Sequence, residues 1–200
     1  MATNNSHEQA VQTIPQRGFF GHPSGLGVLF FVEFWERFSY YGMRAMLIFY
    51  MYDQIKNGGL GIDQTTAMSI MSVYGALIYM SSIPGAWVAD RLFGTRGATL
   101  IGAVLIIIGH ICLSLPFAMF GLFASMFFII IGSGLMKPNI SNIVGRLYPE
   151  NDTRMDAGFV IFYMSVNLGA LISPIILQHF LDVKNYHGGF LIAAIGMALG

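Results

Sequence analysis

Long apolar stretches alternate with short polar ones along the chain. They run from Gly25 to Tyr52, Ala67 to Ala89, Ala98 to Leu115, Gly121 to Gly145 and Ala157 to Leu181, and another begins near Gly188 and is still apolar at Gly200. A membrane-crossing helix needs about 20 mostly apolar residues. The pattern therefore predicts five complete transmembrane helices and the start of a sixth. A chain rarely stops inside a span, so the sequence reads as one piece of a longer protein, cut within the sixth helix. The connections carry turn chemistry: Lys56-Asn57-Gly58-Gly59, Phe93-Gly94-Thr95, the run from Tyr148 to Asp152, and Asn185 to Gly189. Gly, Asn, Asp and Pro clusters of this kind mark loops. Residues 1–17 are polar and lack an apolar core, which predicts a disordered tail rather than a cleavable signal peptide. Residues 18–200 are expected to form the helical bundle.

Composition strengthens the membrane reading. Hydrophobic residues make up 55% of the chain and charged residues 10%, against about 25% charged in a soluble domain. The 24 glycines suit membrane helices, whose backbones approach closely where side chains are small. Ten basic residues balance ten acidic ones, so no basic face recommends a nucleic-acid partner. Cys112, inside an apolar run, reads as a small packing residue. The sequence holds no HExxH, no phosphate loop and no Cys/His cluster, so an enzyme, a metal site and a bound cofactor are not expected. Arg17, Arg91, Arg96, Arg146 and Arg154 fall on one side of the predicted helices, Lys56 and Lys184 on the other. Basic residues in short loops favour the cytoplasm, which places the amino terminus there.

The remaining basic residues, Arg37, Arg44 and Lys137, lie within predicted spans. Charges in a membrane helix cost several kcal/mol each unless they pair or face water. In the first span, Glu33, Glu36, Arg37, Tyr40, Tyr41 and Arg44 fall on a stripe roughly 140° wide, while Phe34, Trp35 and Phe38 point the other way. One face is greasy; the other must meet a polar interior. Arg37, four residues after Glu33, is placed to pair with it. An intramembrane acid is a functional candidate by default, although an ion-pair network that only holds helices together fits the same spacing. Lys137 precedes Pro138 and Asn139, and proline disfavours helix at the residue before it. A disturbed helix with a cation and an Asn reads as lining a cavity, with Glu33 or Glu36 as the natural partner of Lys137. Tyr79 and Asn167 lie mid-span, where polar groups either bind ligands or join helices. His110 reads as a packing residue with a local hydrogen bond.

The run Glu33-Phe34-Trp35-Glu36-Arg37-Phe38 through Arg44 closely resembles the ExxER(F) signature of the proton-coupled oligopeptide transporter family. Gly85 through Gly94 and Phe162 through Leu171 resemble two further signatures of that family in the same order, and Leu135-Met136-Lys137-Pro138-Asn139 resembles its fourth helix. The resemblance implies an all-α integral membrane fold, the amino-terminal six-helix bundle of the major facilitator superfamily. It implies proton-coupled symport of di- and tripeptides, with protons as coupling ion and no other cofactor, in the cell membrane. Glu33, Glu36 and Arg37 would couple proton movement, with Lys137 as their salt-bridge partner. Arg44 and Lys137 would attract the peptide carboxylate, and Tyr40, Tyr41, Tyr79 and Asn167 would line the pocket. A peptide is a zwitterion, and the acid for its amino end would come from a carboxyl-terminal half that function needs. Nitrate or another small solute on the same fold, or a non-transporting membrane scaffold, are the competing readings.

Overall fold

The structure, a computed structural model, describes residues 16–149 and 151–200. The helices are α1 (Ser24–Tyr52), α2 (Gln64–Met80), α3 (Ser82–Val88), α4 (Gly94–Ser114), α5 (Ala118–Gly145), α6 (Met155–Asp182) and α7 (Tyr186–Leu199), with a 3₁₀ turn at Ile55–Asn57 and a π-helical turn at Ala89–Phe93. No β-strand occurs among the described residues. Each predicted apolar stretch is helical. The predicted tail lies outside the described residues up to residue 15, as does Glu150.

Among the described residues, three stretches are long and apolar enough to cross a membrane: Gln64–Ser114, Ala118–Gly145 and Met155–Asp182. The first has 51 residues, far more than a hydrocarbon core about 30 Å thick requires at about 1.5 Å per residue. It folds back at Gly94, whose φ of 68° is open to glycine at little cost. Beyond that turn α4 runs antiparallel to α5, with Gly102 beside Gly132 and Gly109 beside Ile129. Before it, α2 and α3 run parallel to α5, with the Ser81 hydroxyl donating to the Ile130 carbonyl at 2.9 Å and Gly85 against Gly134. Helix α1 is the longest of the described helices, at 29 residues, but Glu33, Glu36, Arg37 and Arg44 make it less apolar.

Small residues set the crossings. A Cβ on Gly132 would lie 2.6 Å from the Gly102 carbonyl oxygen, and one on Gly169 would lie 2.6 Å from the Phe34 carbonyl oxygen. Such approach lets α4 meet α5, and α6 meet α1, backbone to backbone. One core cluster joins α1, α2, α5 and α7 through Met43, Met46, Tyr74, Met126 and Phe190. Another joins α1, α4, α5 and α6 through Leu26, Ile106, Met136 and Phe162.

Pro138 does not break α5. The helix continues to Gly145 with the proline inside it. Proline withholds the N–H that the Gly134 carbonyl would accept, and that carbonyl faces Gly85 of α3, where no side chain stands in the way. The Asn139 side chain is buried and donates to the Leu135 carbonyl of its own helix at 2.6 Å. It does not line a cavity as the sequence suggested.

Polar knots tie the helix ends. At one end the Asp53 carboxylate accepts from Gln54 N–H, Asn57 Nδ2 and the Tyr186 hydroxyl, with Lys184 Nζ at 3.5 Å. The Asn57 amide and Tyr186 hydroxyl hold this carboxyl well below the usual carboxylate range. At the other end Arg154 pairs with Asp152 at 2.6 Å and donates to the Gln16 and Gly21 carbonyls, while His22 Nδ1 lies 3.0 Å from the Tyr148 hydroxyl.

Candidate functional site

The acids of the α1 stripe are buried and its arginines half-buried. Glu33 is 3% exposed and Glu36 1%. Arg37 Nε donates to Glu33 Oε1 at 2.7 Å, and Glu36 Oε2 lies 2.9 Å from the same nitrogen. The second contact is an ion pair without hydrogen-bond alignment, so Glu36 Oε2 has no hydrogen-bond donor among the described residues. Gly169 makes the arrangement possible: α6 presses on α1 at Phe34, Arg37 and Phe38, and a side chain at 169 would meet the Arg37 Cβ. One guanidinium thus serves two carboxylates. A proton on either glutamate removes the mismatch.

One turn further along α1, Arg44 Nη1 donates to the Tyr40 hydroxyl at 3.0 Å. Lys137, reaching over from α5, places Nζ 4.6 Å from the Tyr40 ring centroid and 5.7 Å from that of Tyr79, within range of cation–π attraction. The Lys137–glutamate salt bridge implied by the resemblance is not formed among the described residues. Arg37, on the same helix as the acids, reaches them first, and Lys137 rests on ring faces instead. Three cations face two acids across this cluster, which favours an added anion.

The structure therefore gathers Glu33, Glu36, Arg37, Tyr40, Arg44, Tyr79 and Lys137. Tyr41 joins by its ring, edge-on to Tyr40 at 5.2 Å. Tyr79 is 70% exposed. Asn167 is also exposed and donates to the Tyr163 carbonyl of its own helix at 3.1 Å; no contact with the cluster is seen for it. His110 is fully buried, and neither ring nitrogen has a hydrogen-bond partner among the described residues, so the local hydrogen bond expected from the sequence is absent. An apolar groove of about 450 Å³ between α2 and α5, lined by Val73, Leu77, Phe123 and Phe127 among others, carries no charged side chain. Sequence reasoning missed Tyr74. Its place on the stripe Met71, Tyr74, Gly75, Ile78, all buried, was the available signal: a phenol where every neighbour on that face is apolar.

The profile described as the POT family matches residues 97–200. A di-/tripeptide transporter of Lactococcus lactis subsp. lactis is 52% identical over 184 residues, covering 91% of this chain and 37% of that protein. An uncharacterized transporter of Bacillus subtilis is 54% identical over 194 residues, covering 97% of this chain and 39% of that protein. The chain thus spans well under half the length of these relatives. Among solved structures, a POT family transporter in complex with a thioalcohol-conjugated peptide is similar at 88% identity and a TM-score of 0.93, covering 94% of this chain and 39% of that one. A peptide transporter POT in complex with sulfate is similar at 55% identity and a TM-score of 0.94, covering 96% and 39%. The fold is the all-α membrane bundle of the major facilitator superfamily that the sequence motifs implied.

Proposed function

The chain belongs to the POT family, and on that premise we propose that it forms the proton-coupling and carboxylate-binding part of a di- and tripeptide symporter in the cell membrane. The observation that carries this reading is Arg37 held between two buried glutamates, Glu33 and Glu36, on one face of a membrane helix. Buried acids in a bilayer are costly, and a scaffold gains nothing from a second acid on the same guanidinium. The amino terminus faces the cytoplasm, by the distribution of loop arginines.

In this reading a proton arriving on Glu33 or Glu36 loosens that acid from Arg37. The freed positive charge then biases the bundle toward another packing. Arg44 and Lys137 draw in the peptide carboxylate, and Tyr40, Tyr41, Tyr79 and Asn167 line its path. The amino end of the peptide is met by the remainder of the transporter. No cofactor beyond the proton is involved. Each proton contributes about 2.3 kcal/mol per 100 mV and about 1.4 kcal/mol per pH unit, enough for roughly hundredfold or greater accumulation when both act.

Uptake of labelled dialanine into liposomes holding the protein that carries this chain tests the reading. Accumulation that needs an inward proton gradient, and that unlabelled di- and tripeptides abolish, is expected. Gradient-independent entry, or none with the protein folded, points to nitrate or another small solute, or to a scaffold.

A further inference from the structure

Tyr74 of α2 is 2% exposed, and its hydroxyl has no hydrogen-bond partner among the described residues. On a stripe shared with Met71 and Ile78, phenylalanine would fill the same space without burying a polar atom. An orphaned hydroxyl costs stability. Its surroundings differ from those of His110, the other large buried orphan. Tyr74 shares a buried cluster with Tyr40, whose hydroxyl accepts from Arg44. The next residue, Gly75, keeps α2 close to Arg44: a Cβ there would lie 3.7 Å from Arg44 Nη2.

The donor and acceptor count around Tyr74 is lopsided. A guanidinium only donates, and an ammonium only donates. Arg44 has given Nη1 to the Tyr40 oxygen, and its other N–H groups remain. Lys137 Nζ sits over ring faces, which take no conventional hydrogen bond. The Tyr74 O–H and the spare Arg44 N–H groups therefore want the same thing, an acceptor. A carboxylate offers about four lone-pair sites and binds donors of both kinds.

We infer that Tyr74 is a binding residue for the peptide carboxylate, its O–H donating to the same carboxylate that Arg44 holds. This rests on the peptide reading above and adds to it a residue that neither composition nor motif spacing marks. The neutral phenol gives the site direction where the cations give only attraction. It discriminates a free carboxyl terminus from an amidated one, because an amide places an N–H where the second carboxylate oxygen accepts.

The test is Tyr74→Phe in the same liposomes, with dialanine and alanyl-alaninamide as competitors of labelled dialanine, alongside thermal melting of both proteins. The variant is expected to melt at the same or a higher temperature, since an unpaired hydroxyl is gone. Its inhibition constant for dialanine rises roughly tenfold to a hundredfold, the loss of one hydrogen bond to a charged group. That for the amide stays put, so the ratio between them shrinks. Unchanged inhibition by dialanine overturns the assignment, and so does equal weakening of both competitors, which places the effect away from the carboxylate. A lower melting temperature overturns it too, by giving the hydroxyl a structural partner. Failure of the unmutated protein to take up dialanine defeats the peptide reading and this assignment together.

Discussion

Helices α1 and α6 meet backbone to backbone, as α4 and α5 do, yet the two contacts hold opposite contents. Both are set by a glycine with no room for a side chain, Gly169 in one and Gly132 in the other. Beside the first lie Arg37, Glu33 and Glu36, paired with one another. The second brings α5 against α4, which carries His110, buried with neither nitrogen hydrogen-bonded among the described residues. Close packing alone therefore does not separate the contact to which the proposed function assigns proton coupling from the one to which it assigns nothing. What separates the two is whether the buried polar groups have charged neighbours able to exchange a proton or a ligand.

Arg37→Ala breaks the comparison most severely. It strands two buried acids, and breaking a buried pair by removing one partner costs about 3–5 kcal/mol. Thermal melting in detergent should show the loss, and adding Glu33→Gln and Glu36→Gln on top should recover much of it. Recovery separates unpaired charge from lost packing.

Gly132→Val attacks the other crossing. The new side chain meets the Gly102 carbonyl and Ile106, backbone that cannot swing aside, and overpacking of this kind costs about 1–3 kcal/mol. The same assay reads it, and protein that still folds should keep gradient-driven uptake, because nothing charged has moved.

His110→Leu sharpens the contrast with the opposite sign. Removing an unpaired buried imidazole should raise stability by about 1 kcal/mol and leave uptake unaltered. A drop in uptake would move His110 to the functional side of the comparison.

The smallest effect belongs to Asp53, outside the membrane-crossing segments. Its carboxyl is held below the usual range by Asn57 and Tyr186. A depressed folded value contributes stability above the unfolded value of about 4, and that contribution fades as pH falls through the folded value. Asp53→Asn should therefore melt slightly below the unmutated protein at pH 7, and the gap should narrow only in strongly acid solution. A gap that closes near neutral pH would show that the knot around Asp53 contributes nothing.

Much of this was legible in the sequence because a bilayer enforces long apolar runs. Each run became a helix, and the turn at Phe93-Gly94-Thr95 fell where the loop chemistry put it, reduced to one left-handed glycine. The stripe of α1 was legible because a period of 3.6 residues fixes which side chains share a face. What the sequence withheld concerns partners on other helices. Pro138 looked like a disturbance because the glycine facing its orphaned carbonyl lies 53 positions away in sequence, at Gly85. Lys137 looked bound to a glutamate because spacing does not say that Arg37 already holds both. Tyr74 went unmarked because nothing in its own helix says that Arg44 of α1 lies close to the neighbouring Gly75.

The central claim is that Glu33 and Glu36 move protons rather than merely hold Arg37. The most direct measurement compares gradient-driven accumulation of dialanine with gradient-free exchange in Glu33→Gln and Glu36→Gln. Loss of accumulation in at least one variant, with exchange retained, is the predicted result, since coupling is lost while binding and movement survive. Accumulation equal to that of the unmutated protein in both variants would contradict the account.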